Sequence, residues 1–164
     1  MISLKKRNLG NRGFTIVELL IVIVVIGILA LLVITTYSGI QAKARNAKRQ
    51  TDIQAIQTQL EAFFSENGYY PSFADLDNQT SPTWVKDNLK SLDPNALIDP
   101  SSSSSSETLV NGTGGADKTY QYAPTASDGT SCEDKDTTCA KYTLTAKYEG
   151  TVNGQTTYVK SNLD

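Results

Sequence analysis

The chain has 164 residues, 15 of them basic and 17 acidic, no histidine, and an apolar fraction of 39 %, which leaves room for one domain plus an anchor or tail. Without histidine a serine or cysteine nucleophile lacks its usual base, and no glycine-rich phosphate loop follows a strand, so an enzyme is not expected and no cofactor is called for. The formal charge of −2 hides an asymmetry: the first 13 residues hold Lys5, Lys6, Arg7 and Arg12 and no acid, and beyond them 11 bases face 17 acids, a formal −6, which makes nucleic acid an improbable direct ligand.

In chain order, the basic leader (1–13) ends at Gly13 and an apolar helix follows over 14–36. Sixteen uninterrupted apolar or glycine residues run from Leu19 to Ile34. As a helix, Phe14 to Ile34 spans about 31 Å at 1.5 Å per residue, against a hydrocarbon core of about 30 Å. The basic leader would hold the N-terminus in the cytoplasm and place everything after Tyr37 outside. Glu18 stands at the rim of this span, where a charge is costly and points to a function. Two plainer readings compete. A secretory signal cut after Ala42-Lys43-Ala44 has an apolar core longer than the usual stretch of roughly 7–15 residues. A permanent signal anchor explains the span but gives no reason for Glu18.

The string Gly13-Phe14-Thr15-Ile16-Val17-Glu18, behind a short basic leader and ahead of an apolar helix, resembles the class III signal of type IV pilins and pseudopilins. The match is close over residues 1–40 and extends in coarse architecture over the chain. The resemblance implies that a prepilin peptidase cuts between Gly13 and Phe14 and methylates the new amine of Phe14. It implies that Glu18 attracts the terminal amine of an adjacent subunit and so sets the assembly register. An acid suits the first turn because of the helix dipole, and low dielectric strengthens the pair, although desolvation takes back much of the gain. The plainer alternative is that Glu18 caps its own helix. The resemblance further implies self-assembly into a helical filament, an assembly ATPase and a platform protein as partners, and a membrane location before assembly. One departure is clear. Many pilins carry a proline eight residues beyond the glycine matching Gly27; Thr35 stands there, leaving Gly27 and Ser38-Gly39 as the weak points of the helix.

An amphipathic continuation occupies 37–67, with Ile53, Ile56, Leu60 and Phe63 at spacings of three, four and three and Phe64 alongside. It should stop at Asn67-Gly68 ahead of Pro71, giving one helix from Phe14 to Glu66. The basic stripe of Lys43, Arg45, Lys48 and Arg49 reads as a solvated face near anionic headgroups.

Residues 68–164 form the globular part. Tyr69-Tyr70-Pro71 resembles a turn frequent in pilins at this point. Ser72 with Asp75 makes a capping box, and Ser81-Pro82 opens a short helical segment from Trp84 to Leu89. A loop covers 99–118, with the run Ser101 to Ser106 exposed within it. Strands follow at Tyr120-Gln121-Tyr122, at Tyr142 to Glu149 with Tyr142, Leu144, Ala146 and Tyr148 on one face, and at Thr156 to Lys160 after the Asn153-Gly154 hairpin. Leu109-Val110 offers a fourth. Cys132 and Cys139 fit a disulfide in an oxidising compartment, since a zinc site would need more ligands than the chain offers nearby. Glu133, Asp134 and Asp136 beside them are solvated acids, without the ordered spacing of an EF-hand calcium loop. The expected fold is α+β, a long N-terminal helix on a small antiparallel sheet of three or four strands.

Overall fold

A computed structural model describes residues 13–77, 83–103, 109–134 and 138–163, with the backbone alone at residue 35. The chain divides into two compact units, Met1–Ile40 and Gln41–Asp164.

Helix α1, Ile16–Asn67, belongs partly to each unit. It starts at Ile16 rather than Phe14 because Thr15 takes the N-cap position. The Thr15 hydroxyl oxygen accepts the Glu18 amide (3.2 Å) while the Glu18 carboxylate accepts the Thr15 amide at 2.9 Å. This is a Thr-x-x-Glu capping box, which satisfies two of the helix's orphan donors. The helix passes Gly27 and Gly39 without a break, so neither expected weak point interrupts it. At the other end Gly68, with φ +78°, donates its amide to Phe64 O at 2.7 Å. The stop falls where the Asn-Gly pair placed it, since glycine takes this left-handed conformation without steric cost.

In the second unit Ile53, Ile56, Leu60 and Phe63 are buried in the core with Tyr70, Tyr120, Tyr122, Tyr142, Leu144 and Ala146. Each such apolar side chain contributes about 1.5–3 kcal/mol of burial. Two short helices, α2 (Phe73–Leu76) and α3 (Trp84–Asn88), and a 3₁₀ turn at Pro94–Leu97 bridge α1 and the sheet in sequence. The Ser72–Asp75 capping box is present on α2. The Ser81-Pro82 pair expected to open α3 lies outside the described residues.

The sheet holds β1 (Val110–Asn111), β2 (Tyr120–Thr125), β3 (Lys141–Val152) and β4 (Gln155–Ser161), in the order β1-β2-β3-β4. The last three are antiparallel as expected, but β1 runs parallel to β2. The expected antiparallel sheet is therefore mixed. The cause is the connection over 112–119, which folds back over the outer face instead of making a hairpin. Gly115 donates its amide to the Gln121 side-chain oxygen, and Thr145 donates its hydroxyl to Thr113 O at 3.4 Å. Parallel neighbours need such a return to the same end of the sheet. Thr145 is consequently buried on the face where alternation predicts exposure, while Tyr142, Leu144, Ala146 and Tyr148 fill the inner face as predicted. Asn153 and Gly154 both have positive φ, as the tight two-residue hairpin requires.

The β3–β4 register shifts between Lys147 and Val152. At this bulge Asn46 of α1 replaces the missing ladder partner: its amide nitrogen donates to Glu149 O at 3.1 Å and its oxygen accepts from Glu149 N at 3.0 Å. A backbone pair freed by the irregularity is thus satisfied from the helix.

Candidate functional site

Gly13, Phe14 and Thr15 precede the helix in non-helical backbone. A Cβ built on Gly13 would meet nothing within 4 Å, so the chain's own fold places no demand for glycine there. Phe14 is 79 % exposed. Glu18 Oε2 accepts from both the amide and the hydroxyl of Thr15, at 2.9 and 2.7 Å. Its Oε1 accepts no bond among the described residues. Within one chain, then, Glu18 has the self-capping geometry that the plainer reading foresaw, with one carboxylate oxygen to spare. Thr15 was missed as its partner. The signal was present, because Thr15-Ile16-Val17-Glu18 ahead of an apolar run has the capping-box spacing.

The helix behind this cap is long and apolar enough to cross a membrane, and none of its most apolar stretch is buried within the chain. From Ile16 to Ile34 the large aliphatic side chains are all exposed. A helix that is apolar all round needs an apolar surrounding, either lipid or other helices.

The basic stripe on α1 corrects the expectation of a solvated face. Arg49 has a side chain only 2 % exposed and pairs with Asp99 at 2.7 Å and Glu149 at 2.9 Å. It also bonds Asn46 and the Ser101 hydroxyl. Arg45 makes a two-point pair with Glu149, at 2.7 and 2.5 Å, and Lys48 pairs with Asp52 at 2.9 Å. Of the stripe, Lys43 alone is exposed without an ion pair among the described residues. Burial alone would raise the Asp99 carboxyl, but its bonds from Arg49 and Ser101 outweigh that and hold it below the ordinary range. Arg45 and then Arg49 lower Glu149 despite some desolvation. Ser101, first of the serine run, is drawn into this network, while residues 104–106 lie outside the described residues. Sequence patterning missed the cluster because its acids sit 50 and 100 residues away from Arg49.

A second row on α1 was also missed. Gln50 donates to the Tyr148 hydroxyl (2.6 Å), Gln54 to the Tyr158 hydroxyl (3.0 Å) and Gln57 to Ser161 O (2.7 Å). Glu61 accepts from the hydroxyls of Tyr70 (2.8 Å) and Tyr142 (2.6 Å). Burial, and then the Glu61 carboxylate, push the Tyr142 hydroxyl up. Polar positions flanking the apolar stripe therefore lock the sheet to the helix.

Cys132 and Cys139 are both buried and unbridged in the structure. Burial, followed by the neighbouring thiol, pushes Cys139 up. Their backbone pins the turn after α1: Tyr70 N donates to Cys139 O and Phe73 N to Cys132 O, each at 2.9 Å. Glu133 accepts from Asn111, and Asp136 lies outside the described residues. Among the described residues no three or more Asp, Glu, Cys or His side chains gather as a metal cage.

Comparison with known proteins bears on the N-terminal part. Residues 8–34 match the prokaryotic N-terminal methylation motif. The type IV major pilin protein PilA of Myxococcus xanthus is 42 % identical over 67 residues, 41 % of this chain and 30 % of that protein. The type II secretion system core protein G of Dickeya chrysanthemi is 41 % identical over 62 residues, 38 % of this chain and 40 % of that protein. The corresponding protein of Escherichia coli is 41 % identical over 62 residues, 38 % of this chain and 43 % of its own length. The chain thus spans less than half the length of these relatives, and no solved structure matches it. Over its N-terminal part, therefore, the chain carries a prokaryotic N-terminal methylation motif and is similar to a type IV pilin and to type II secretion core proteins.

Proposed function

We propose that the chain is a prepilin, the structural subunit of a type IV pilus-like filament. Residues 1–13 are a leader removed by a prepilin peptidase, and Phe14 becomes the methylated N-terminus. Residues 14–36 anchor the subunit in the cytoplasmic membrane with the leader inside, then become the filament core; 37–67 and 68–164 form the outer part. An assembly ATPase and a platform protein drive the transfer. The observation that carries this reading is the helix start: a glycine under no internal demand, a capped Glu18 with one oxygen that accepts no bond among the described residues, and an apolar helix whose large aliphatic side chains are exposed. That oxygen is available to the amine of a neighbouring copy. The helix exchanges lipid for protein, so assembly is driven by packing and charge pairing rather than by hydrophobic transfer.

Outside the cell Cys132 and Cys139 form a disulfide, each thiol losing a proton and an electron to an external disulfide that is reduced in turn. On chain-entropy grounds a loop this short is worth about 2.5 kcal/mol.

The test separates assembly from capping. Glu18→Gln keeps the capping-box geometry, since glutamine also serves at that position, but removes the charge. The expected result is normal membrane insertion with loss from filaments; normal incorporation would leave Glu18 a helix cap only. The similarity to core protein G sequences favours a second reading, a pseudopilin making a short secretion fibre. Abundant surface fibres built of this chain support the pilin, and loss of protein export without visible fibres supports the pseudopilin.

A further inference from the structure

The last turns of α1 and the α3 segment enclose a cleft of about 420 Å³ that neither the filament reading nor the charge network uses. Phe63, only 6 % exposed, is among its lining residues, and its ring packs against Tyr69 (5.6 Å) and Trp84 (5.3 Å). Its walls carry planar amides and carboxylates, Asn67, Asn88, Glu66 and Asp87, with Lys90 as the one base. Asn67 donates its side-chain amide to Phe63 O and Asn88 to Trp84 O, both at 2.9 Å, so each amide is fixed by its own helix. Their side-chain oxygens, the two carboxylates and the Lys90 ammonium make no bond among the described residues, so hydrogen-bonding capacity is left unspent on a shaped surface.

We propose that this cleft binds a neutral saccharide. Two acids against one base disfavour an anion. The walls are too polar for an apolar ligand, and a metal lacks a cage among the described residues. A polyol answers the rest: its hydroxyls donate to the carboxylate and amide oxygens and accept from the Lys90 ammonium. The volume lies within the range of small-ligand sites, roughly 300–1,000 Å³.

The test uses the full chain in dimethylamine-oxide micelles, which avoids sugar detergents, against an immobilised panel of neutral and sialylated oligosaccharides, followed by calorimetric titration of the best neutral binder. The expected result is retention of neutral members, with Asp87→Ala and Asn88→Ala each weakening binding at least tenfold and Lys43→Ala leaving it unchanged. Both cleft residues are exposed, so unchanged circular dichroism will show that the variants fold. Failure to retain any neutral oligosaccharide, preference for sialylated ones, or wild-type affinity in both cleft variants would overturn the assignment.

Discussion

Replacing Asp99 with alanine tests the buried charge cluster that joins α1 to the rest of its unit. The change deletes two charge-assisted bonds from Arg49, at 2.7 and 2.9 Å, and two bonds from Ser101, at 2.8 and 2.6 Å. It leaves the Arg49 guanidinium almost fully buried with only the one-third-exposed Glu149 as counter-charge. Breaking a buried pair by removing one partner costs about 3–5 kcal/mol. Glu149 and Asn46 remain bonded to Arg49, so the lower end applies, about 3 kcal/mol. For a folded unit of this size that corresponds to a melting shift of roughly 10 °C. Urea unfolding of the full chain in micelles, followed by fluorescence of Trp84, its sole tryptophan, gives the free energy directly. The double variant Arg49→Met/Asp99→Leu should recover to within about 1 kcal/mol of the parent, because an apolar pair removes the stranded charge. A loss under about 1 kcal/mol in Asp99→Ala, or a double variant as unstable as the single one, would refute the claim that Arg49 depends on Asp99.

Gly13→Val should fold and insert normally, since a side chain there meets open space, yet accumulate uncut in the membrane; immunoblotting in cells with and without the peptidase reads this. Stability should be flat between about pH 5 and 9. In acid it falls, because Asp99 and Glu149 have lowered values, so their contribution is present above the ordinary carboxylate range and lost as pH drops through the folded values. In alkali it falls as well, because Tyr120 and Tyr142 are raised, chiefly by burial, and their contribution present below about pH 10 is lost as the unfolded hydroxyls ionise. Melting temperatures across pH check both limbs, and Asp99→Asn should flatten the acid one. Cys132→Ser should lower the urea midpoint of oxidised protein and leave reduced protein much closer to its parent.

The long helix, its stop at Asn67-Gly68 and the Ile53–Phe63 stripe were legible because periodicity and capping are local signals. So were the tight hairpin and the inner face of β3. The parallel pairing of β1 was not, since it depends on a connection folding back over the sheet through Gly115 and Gln121. Nor was the fate of the basic stripe: Arg49 looks like any helical surface cation until Asp99 and Glu149 are brought to it from distant segments. The glutamine row failed for a related reason, because residues that seem solvent-facing in a two-class pattern reach across to tyrosine hydroxyls. At the N-terminus the motif itself was plain, while Thr15 was overlooked as the partner of Glu18.

Mass spectrometry of the N-terminus of the mature chain, isolated from cells, tests the central claim most directly. The account predicts a chain that begins at Phe14 and carries one methyl group on its amine. A chain that retains Met1, or one that begins at Arg45, would contradict it.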